Sequence, residues 1–252
     1  MKRSAYVIGA ALLALVACSA EGKTETGTKT EESTEESTSA KAGKQDRAVP
    51  LSSPYTAKQL KAALLTTAET PSGFEVSHTT AAGPSSPPAE ASETVRPTEC
   101  AVLRNPHTKA QAEAVNARAQ LHRPSEGLDL HRMALVGWSE TDAKARMAAL
   151  RSALETCGAI EFENVGSKGP RQAVFRAEKA PALGDETLRY SLNSASFYQN
   201  FTVVRVQGLI TIVTADTVFG PGLTAERREE LTPEPEEELV RAQVAKVERN
   251  LR

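Results

Sequence analysis

The sequence contains no phosphate-binding glycine loop, no HExxH, no Gly-x-Ser-x-Gly and no zinc-type cysteine or histidine spacing. The local signatures of P-loop hydrolysis, zinc proteolysis and α/β-hydrolase catalysis are therefore missing. No cofactor, no metal and no enzymatic activity are expected. Cysteine is scarce, with three in 252 residues, and histidine numbers four. After Cys18 no run approaches the roughly 18 uninterrupted apolar residues that a spanning helix needs. A concentrated basic face is missing as well. Lysine and arginine are interleaved with acids, and the formal net charge is −2. Removing Lys2 and Arg3 with a leader takes it to about −4, so nucleic acid is not an expected partner.

What is present begins at the first residues. Lys2 and Arg3 precede an apolar run over residues 5–17, and Leu15-Val16-Ala17-Cys18 closes it. A charged start, about a dozen apolar residues and small residues before the cut describe an export signal. The cysteine after Leu-Val-Ala reads as a lipobox. Residues 1–17 are then a lipoprotein signal peptide, and Cys18 takes a diacylglycerol, with palmitate as the type of acyl chain. Two acyl chains hold a protein stably on a membrane, each buried methylene contributing about 0.8 kcal/mol. The expected location is the outer face of a bacterial cytoplasmic membrane, with everything after Cys18 outside.

Residues 19–54 are Glu, Thr, Ser, Lys and Gly with almost no large apolar side chain. Such a stretch cannot offset its ordering entropy by burial, and as a coil it would span roughly 35 Å. With Cys18 it forms an expected disordered tether over residues 18–54. Residues 55–252 suffice for one domain. Two cysteines remain there, Cys100 and Cys157, in an oxidising compartment. They are expected to form a disulfide closing a loop of about 57 residues, worth roughly 4 kcal/mol. Free thiols or a metal site are the alternative, but no neighbouring Cys or His supplies ligand spacing.

Within the folded part, Thr56 caps a helix expected to run to about Thr67, with Leu60, Ala63 and Leu64 on one face. Pro71-Ser72-Gly73 turns the chain into a short strand at residues 74–76. Residues 81–97 read as a long loop, and Thr108 as the cap of an alanine-rich helix to about Leu121. Residues 131–139 read as a strand carrying the single tryptophan, Trp138. Ala143, Met147, Leu150, Leu154 and Cys157 form one helical stripe, with Gly158 as a left-handed stop. Strands are then expected at 162–165, 172–177, 187–192, 201–206 and 209–215, the last two a hairpin whose Gly208 supplies positive φ. A helix over 236–251 places Val240, Val244, Val247 and Leu251 on one side. The pattern is α+β, an antiparallel sheet packed against several helices in a single domain with one disulfide.

Candidate chemistry is sparse. His78, His107, His122 and His131 fall on different expected elements. Asp129 and His131 would share one face of an extended segment, as an acid and base pair, half a metal site or a solvated strand edge. Trp138 is a core anchor or a ligand platform. Gly184-Asp185-Glu186 pairs two carboxylates after a turn glycine, where turn chemistry and cation attraction both apply. Asn200-Phe201-Thr202 has the form of a glycosylation sequon.

The ordered series Pro71-Ser72-Gly73-Phe74, Cys100-Ala101-Val102-Leu103-Arg104-Asn105-Pro106, Gly137-Trp138-Ser139, Cys157, Leu183-Gly184-Asp185-Glu186-Thr187 and the hairpin over 201–215 resembles actinobacterial surface lipoproteins. These are related to the extracellular sensor domain of H-type transmembrane serine/threonine kinases. The resemblance spans about residues 55–252. It implies an α+β domain with a cleft for a cell-envelope ligand or surface protein and no enzymatic activity. The chain departs from that pattern in lacking a kinase domain and in keeping one cysteine pair where the kinase sensor has two. A noncatalytic, membrane-anchored binding or sensor module is the expected function; an envelope hydrolase using Asp129 and His131, or a lipid carrier, are the alternatives.

Overall fold

Strands β8 (Phe197–Val206) and β9 (Leu209–Val218), of ten residues each, form a hairpin at the centre of the sheet, and nearly every side chain along it is buried. Strands buried on both faces read as continuous rather than alternating apolar runs, as residues 201–206 and 209–213 do. The structure is a computed structural model and describes residues 53–71, 73–82, 93–107, 114–123, 130–164, 169–233 and 236–251. The leader, Cys18, the tether to residue 52 and Asp129 lie outside the described residues.

Around the hairpin the chain builds one antiparallel sheet of nine strands in the order β1-β3-β4-β9-β8-β7-β6-β5-β2. The remaining strands are β1 (Glu75–Ala82), β2 (Glu93–Arg96), β3 (Val115–His122), β4 (Leu130–Gly137), β5 (Ala159–Asn164), β6 (Arg171–Glu178) and β7 (Glu186–Ser194). Helix α3 (Glu140–Thr156) lies on one face. There Ala143, Met147, Leu150 and Ala153 pack on Tyr190, Phe201, Val203 and Ile212. Helices α1 (Ala57–Ala63) and α5 (Glu237–Leu251) cover the other face, with Leu60, Ala63, Val240, Val244 and Val247 against Ala119, Leu135, Val204 and Val213. A short α2 (Ala101–Arg104) follows a 3-10 turn at Thr98–Cys100, and α4 (Ala225–Glu230) precedes α5. The expected α+β single domain with an antiparallel sheet is what the described residues form.

Several local expectations are overturned. The expected helix from Thr108 to Leu121 is strand β3 where it is described. Its burial alternates strictly, with Val115, Ala117, Ala119 and Leu121 beneath α1 and Asn116, Arg118, Gln120 and His122 on the opposite face. The helix propensity of alanine yields to sheet pairing on both sides. Parts of the expected loop over 81–97 are strand: β1 continues to Ala82, and β2 pairs with β5 at the sheet edge. Helix α1 stops at Ala63, because Leu64 is extended and Leu65 turns its N–H to Gln243 Oε1 at 3.0 Å. Gly158 is not left-handed. Helix α3 ends instead because Cys157 takes an extended conformation on the way into β5.

At the β8–β9 turn the positive φ belongs to Gln207, at 54°, and not to Gly208. Asp185 Oδ2 accepts the Gln207 N–H at 2.6 Å and holds that conformation. Gly208 is required for a different reason. A Cβ there would sit 2.5 Å from the Trp138 carbonyl oxygen, in the same contact that lets Trp138 N–H donate to Gly208 O at 2.8 Å.

Cys100 and Cys157 form the disulfide, with Cα atoms 6.0 Å apart. It joins the start of α2 to the end of α3 across 57 residues of sequence. Replacing both with serine releases that closure in the unfolded chain and is expected to cost on the order of 2 to 4 kcal/mol. For a domain of this size the melting temperature should fall by roughly 4 to 16 °C. Alkylation of two thiols in the unreduced protein would contradict the bond directly.

Candidate functional site

Helix α3 covers only part of its face of the sheet. Beside it, α2 and the following residues 105–107 stand over strands β3, β4, β9 and β8 and enclose a cavity of about 470 Å³. Three anchors hold this roof. The Cys100–Cys157 disulfide ties its start to α3. The buried Tyr190 hydroxyl of β7 donates to Leu103 O at 3.0 Å. Arg146 of α3 donates from Nη2 to Pro106 O at 2.8 Å and from Nε to the same oxygen at 3.3 Å.

The floor follows from strand periodicity. Arg118 lies opposite Ala134, and Gln120 opposite Arg132, so both arginines point to one face from adjacent strands. Ala134, Phe201 and Ile212 give the floor an apolar centre, and Gln199 and Thr214 line its far side. Arg104 enters from the roof. Its fork pairs with Glu93 through Nε–Oε1 at 3.1 Å and Nη2–Oε2 at 3.2 Å, its Nη1 donates to Gln199 Oε1, and its plane lies near the Phe162 and Phe197 rings. Arg132 Nε donates to Asp216 Oδ2 at 2.8 Å, and Gln199 donates to the other oxygen of that carboxylate at 2.7 Å.

Arg118 differs from both. Among the described residues it has no carboxylate partner, and its buried Nε has no acceptor. Burial and the neighbouring Arg132 pull its pKa down from the ordinary arginine value. His107 sits among Arg118, Arg132, Arg146 and Arg104. Burial first, and then these four cations, push its pKa down to about 3. The imidazole is therefore neutral at physiological pH, and the positive charge of the site resides in guanidinium groups.

The residues singled out from sequence are dispersed. His131 is almost fully buried on the opposite face of β4, its ring edge-on to Phe74 with centroids 4.9 Å apart. It is a core side chain on an interior strand, neither a solvated edge nor part of the cavity. His122 pairs with Glu75 at 3.5 Å on the surface, and His78 lies on edge strand β1. Trp138 packs half-buried against the α3 core, as an anchor. Asp185 and Glu186 are engaged by Arg205, and Glu186 also by Arg151, so internal ion pairs consume the carboxylates read as a cation attractor. Asn200 is 3% exposed and donates to Glu178 Oε2 at 2.8 Å, which leaves the sequon inside the protein.

Of the sequence candidates only His107 lines the cavity. Arg118, Arg132, Arg104 and Gln199 were missed as site residues. The signal for Arg118 was available: Val-Asn-Ala-Arg-Ala-Gln-Leu-His over 115–122 alternates with period two, which would have placed Arg118 and Gln120 together on a polar face.

The depressed His107 pKa makes a stability prediction. The unfolded histidine titrates near 6.5 and the folded one near 3, so the unfolded chain binds the additional proton below 6.5. This group's contribution is complete above 6.5 and lost as pH falls toward 3. His107→Gln should show a shallower decline of melting temperature between pH 6.5 and about pH 4 than the parent. Parallel declines would mean that His107 protonates freely in the folded protein.

No family model matches the chain, and no curated protein does. Several solved structures are similar, including two mycobacterial proteins. A putative uncharacterized protein of Mycobacterium smegmatis, the Rv0999 ortholog, aligns at 16% identity over 76% of this chain and 97% of that one, with a TM-score of 0.38. The extracellular domain of PknH from Mycobacterium tuberculosis aligns at 14% identity over 78% of this chain and 98% of that one, with a TM-score of 0.51. The resemblance read from the ordered motifs thus extends to three dimensions: this chain shares its fold with the extracellular domain of PknH.

Proposed function

We propose that the protein is a noncatalytic extracytoplasmic binding or sensor module, held on the outer face of the cytoplasmic membrane through Cys18, that takes an anionic cell-envelope ligand in the cavity beside α3. The observation that carries this reading is Arg118. A guanidinium lining a cavity without a carboxylate partner is desolvated at a cost to stability, and an incoming anion supplies the missing partner. The fold shared with the PknH extracellular domain supports an extracytoplasmic setting, and the leader and lipobox support the anchor. The roof anchored to α3 and β7 supports a preformed site.

An envelope hydrolase through Asp129 and His131 gains no support from the geometry, because His131 is packed in the core beneath Phe74. Turnover of a cell-wall fragment by the purified protein would nevertheless overturn the noncatalytic reading. Stoichiometric lipid extracted from the full chain would point to the lipid carrier instead.

Two measurements test the proposal. Arg118→Gln should weaken binding of anionic envelope fragments by about 10- to 100-fold, the equivalent of one charge-assisted hydrogen bond. Its melting temperature should be unchanged or raised, since Arg118 has no partner to lose. Equal affinity in the parent and variant would remove the cavity from the reading. Separately, Cys18→Ser should release the protein from the membrane fraction or leave the precursor uncleaved. Retention of lipid label in that variant would remove the anchor.

A further inference from the structure

The charges around the cavity do not balance. Four guanidinium groups act on His107, those of Arg104, Arg118, Arg132 and Arg146. Among the described residues two carboxylates answer them, Glu93 on Arg104 and Asp216 on Arg132. Arg146 is spent on the Asn105 and Pro106 carbonyls, which take up its hydrogen bonds but leave its charge. Among the described residues the excess is two positive charges. His107, being neutral, neither adds to it nor cancels it near pH 7.

The free donors lie on one side of the cavity. Arg104 already has its Nε and both terminal nitrogens engaged. Arg118 offers its fork, and Arg132, half-exposed, uses Nε and Nη2 on Asp216 and keeps Nη1 available. Two planar cations on neighbouring strands of the same face suit a tetrahedral oxyanion, whose several oxygens can meet separate forks. The cavity is also far larger than a bare oxyanion needs, and Ala134, Phe201 and Ile212 provide an apolar floor beneath the basic side.

Resting on the anion-binding reading above, we infer that the ligand is an organic phosphomonoester bound as its dianion, with the phosphate at Arg118 and Arg132 and the organic body over Ala134, Phe201 and Ile212. Singly charged phosphodiesters and carboxylates satisfy only half of the excess charge. The groups facing the phosphate are arginines, the carboxylates paired with them and a histidine that stays neutral until about pH 3, so His107 adds no charge between pH 5 and 8. Any change of affinity in that interval reports protonation of the phosphate, whose second pKa is about 6.

Titration of the full chain with phenyl phosphate, its methyl diester and benzoate tests this. Phenyl phosphate should bind about tenfold more tightly at about pH 7.5 than at about pH 5, following the dianion fraction. The diester and benzoate should bind at least about tenfold more weakly at the higher pH and show no pH dependence across this range. Arg118→Gln should abolish the preference for the monoester. If all three probes bind alike and without pH dependence, the phosphomonoester inference is wrong while the anion site stands. If none binds and Arg118→Gln changes nothing, both are wrong. Competition identifies the carrier: displacement of phenyl phosphate by glucose 1-phosphate points to a soluble phosphorylated saccharide, and displacement by vesicles of phosphatidylcholine and phosphatidate to a lipid headgroup. Displacement by neither overturns the inference for envelope phosphomonoesters.

Discussion

The structure turns on a mismatch of widths. Nine antiparallel strands span about 38 Å between the outer two, whereas a packed helix is about 10 Å across. On the face carrying α3, one helix can shield only the strands directly beneath it, β6 to β9. Strand β3 extends the same face beyond that cover, and its side chains there are Asn116, Arg118 and Gln120 rather than apolar groups. A cavity forms where α2 and its following residues overhang this polar strip. The cavity is thus a consequence of covering a wide sheet with too little helix.

The opposite face solves the same problem with two helices joined by polar contacts. Helix α1 has seven residues, too few to persist alone in water. It is held by its capping box at Thr56 and Gln59 and by α5. Gln243 donates to Ala63 O at 2.8 Å and accepts the Leu65 N–H, while Lys246 donates to Leu64 O at 2.7 Å. These buried side chains satisfy backbone groups that the end of α1 leaves open, so polar residues inside the core serve as its terminal cap.

In the cavity, ion pairs divide the arginines by role. Glu93 and Asp216 fix Arg104 and Arg132 in place, and removing either arginine would leave a largely buried carboxylate uncompensated. Arg118 has no such restraint, and its desolvated charge opposes folding without a ligand. A sequence that departs from full local satisfaction at one lining position is the pattern expected where function and stability compete.

Much of this architecture was legible in the chain. The α3 stripe, the α5 stripe, five of the strands, the central hairpin and the Cys100–Cys157 pair follow from local periodicity and from a count of cysteines, and local periodicity survives folding when one face of an element is buried. Residues 114–122 were misread because alanine favours helix in isolation, and strand pairing on both sides overrode that preference. With that strand went Arg118. Even a correct strand assignment would have placed Arg118 on a face without showing what faces it. Residues 93, 104, 118, 132, 146 and 216 meet only because the sheet order interposes β9 between β4 and β8 and because the disulfide draws α2 over the floor. Sequence alone determined the class of helices α3 and α5 and of the strands from β4 onward, and the pairing of Cys100 with Cys157. Tertiary structure decided which arginines converge and which one is left without a partner, because charge balance in a cavity depends on distances between segments far apart along the chain.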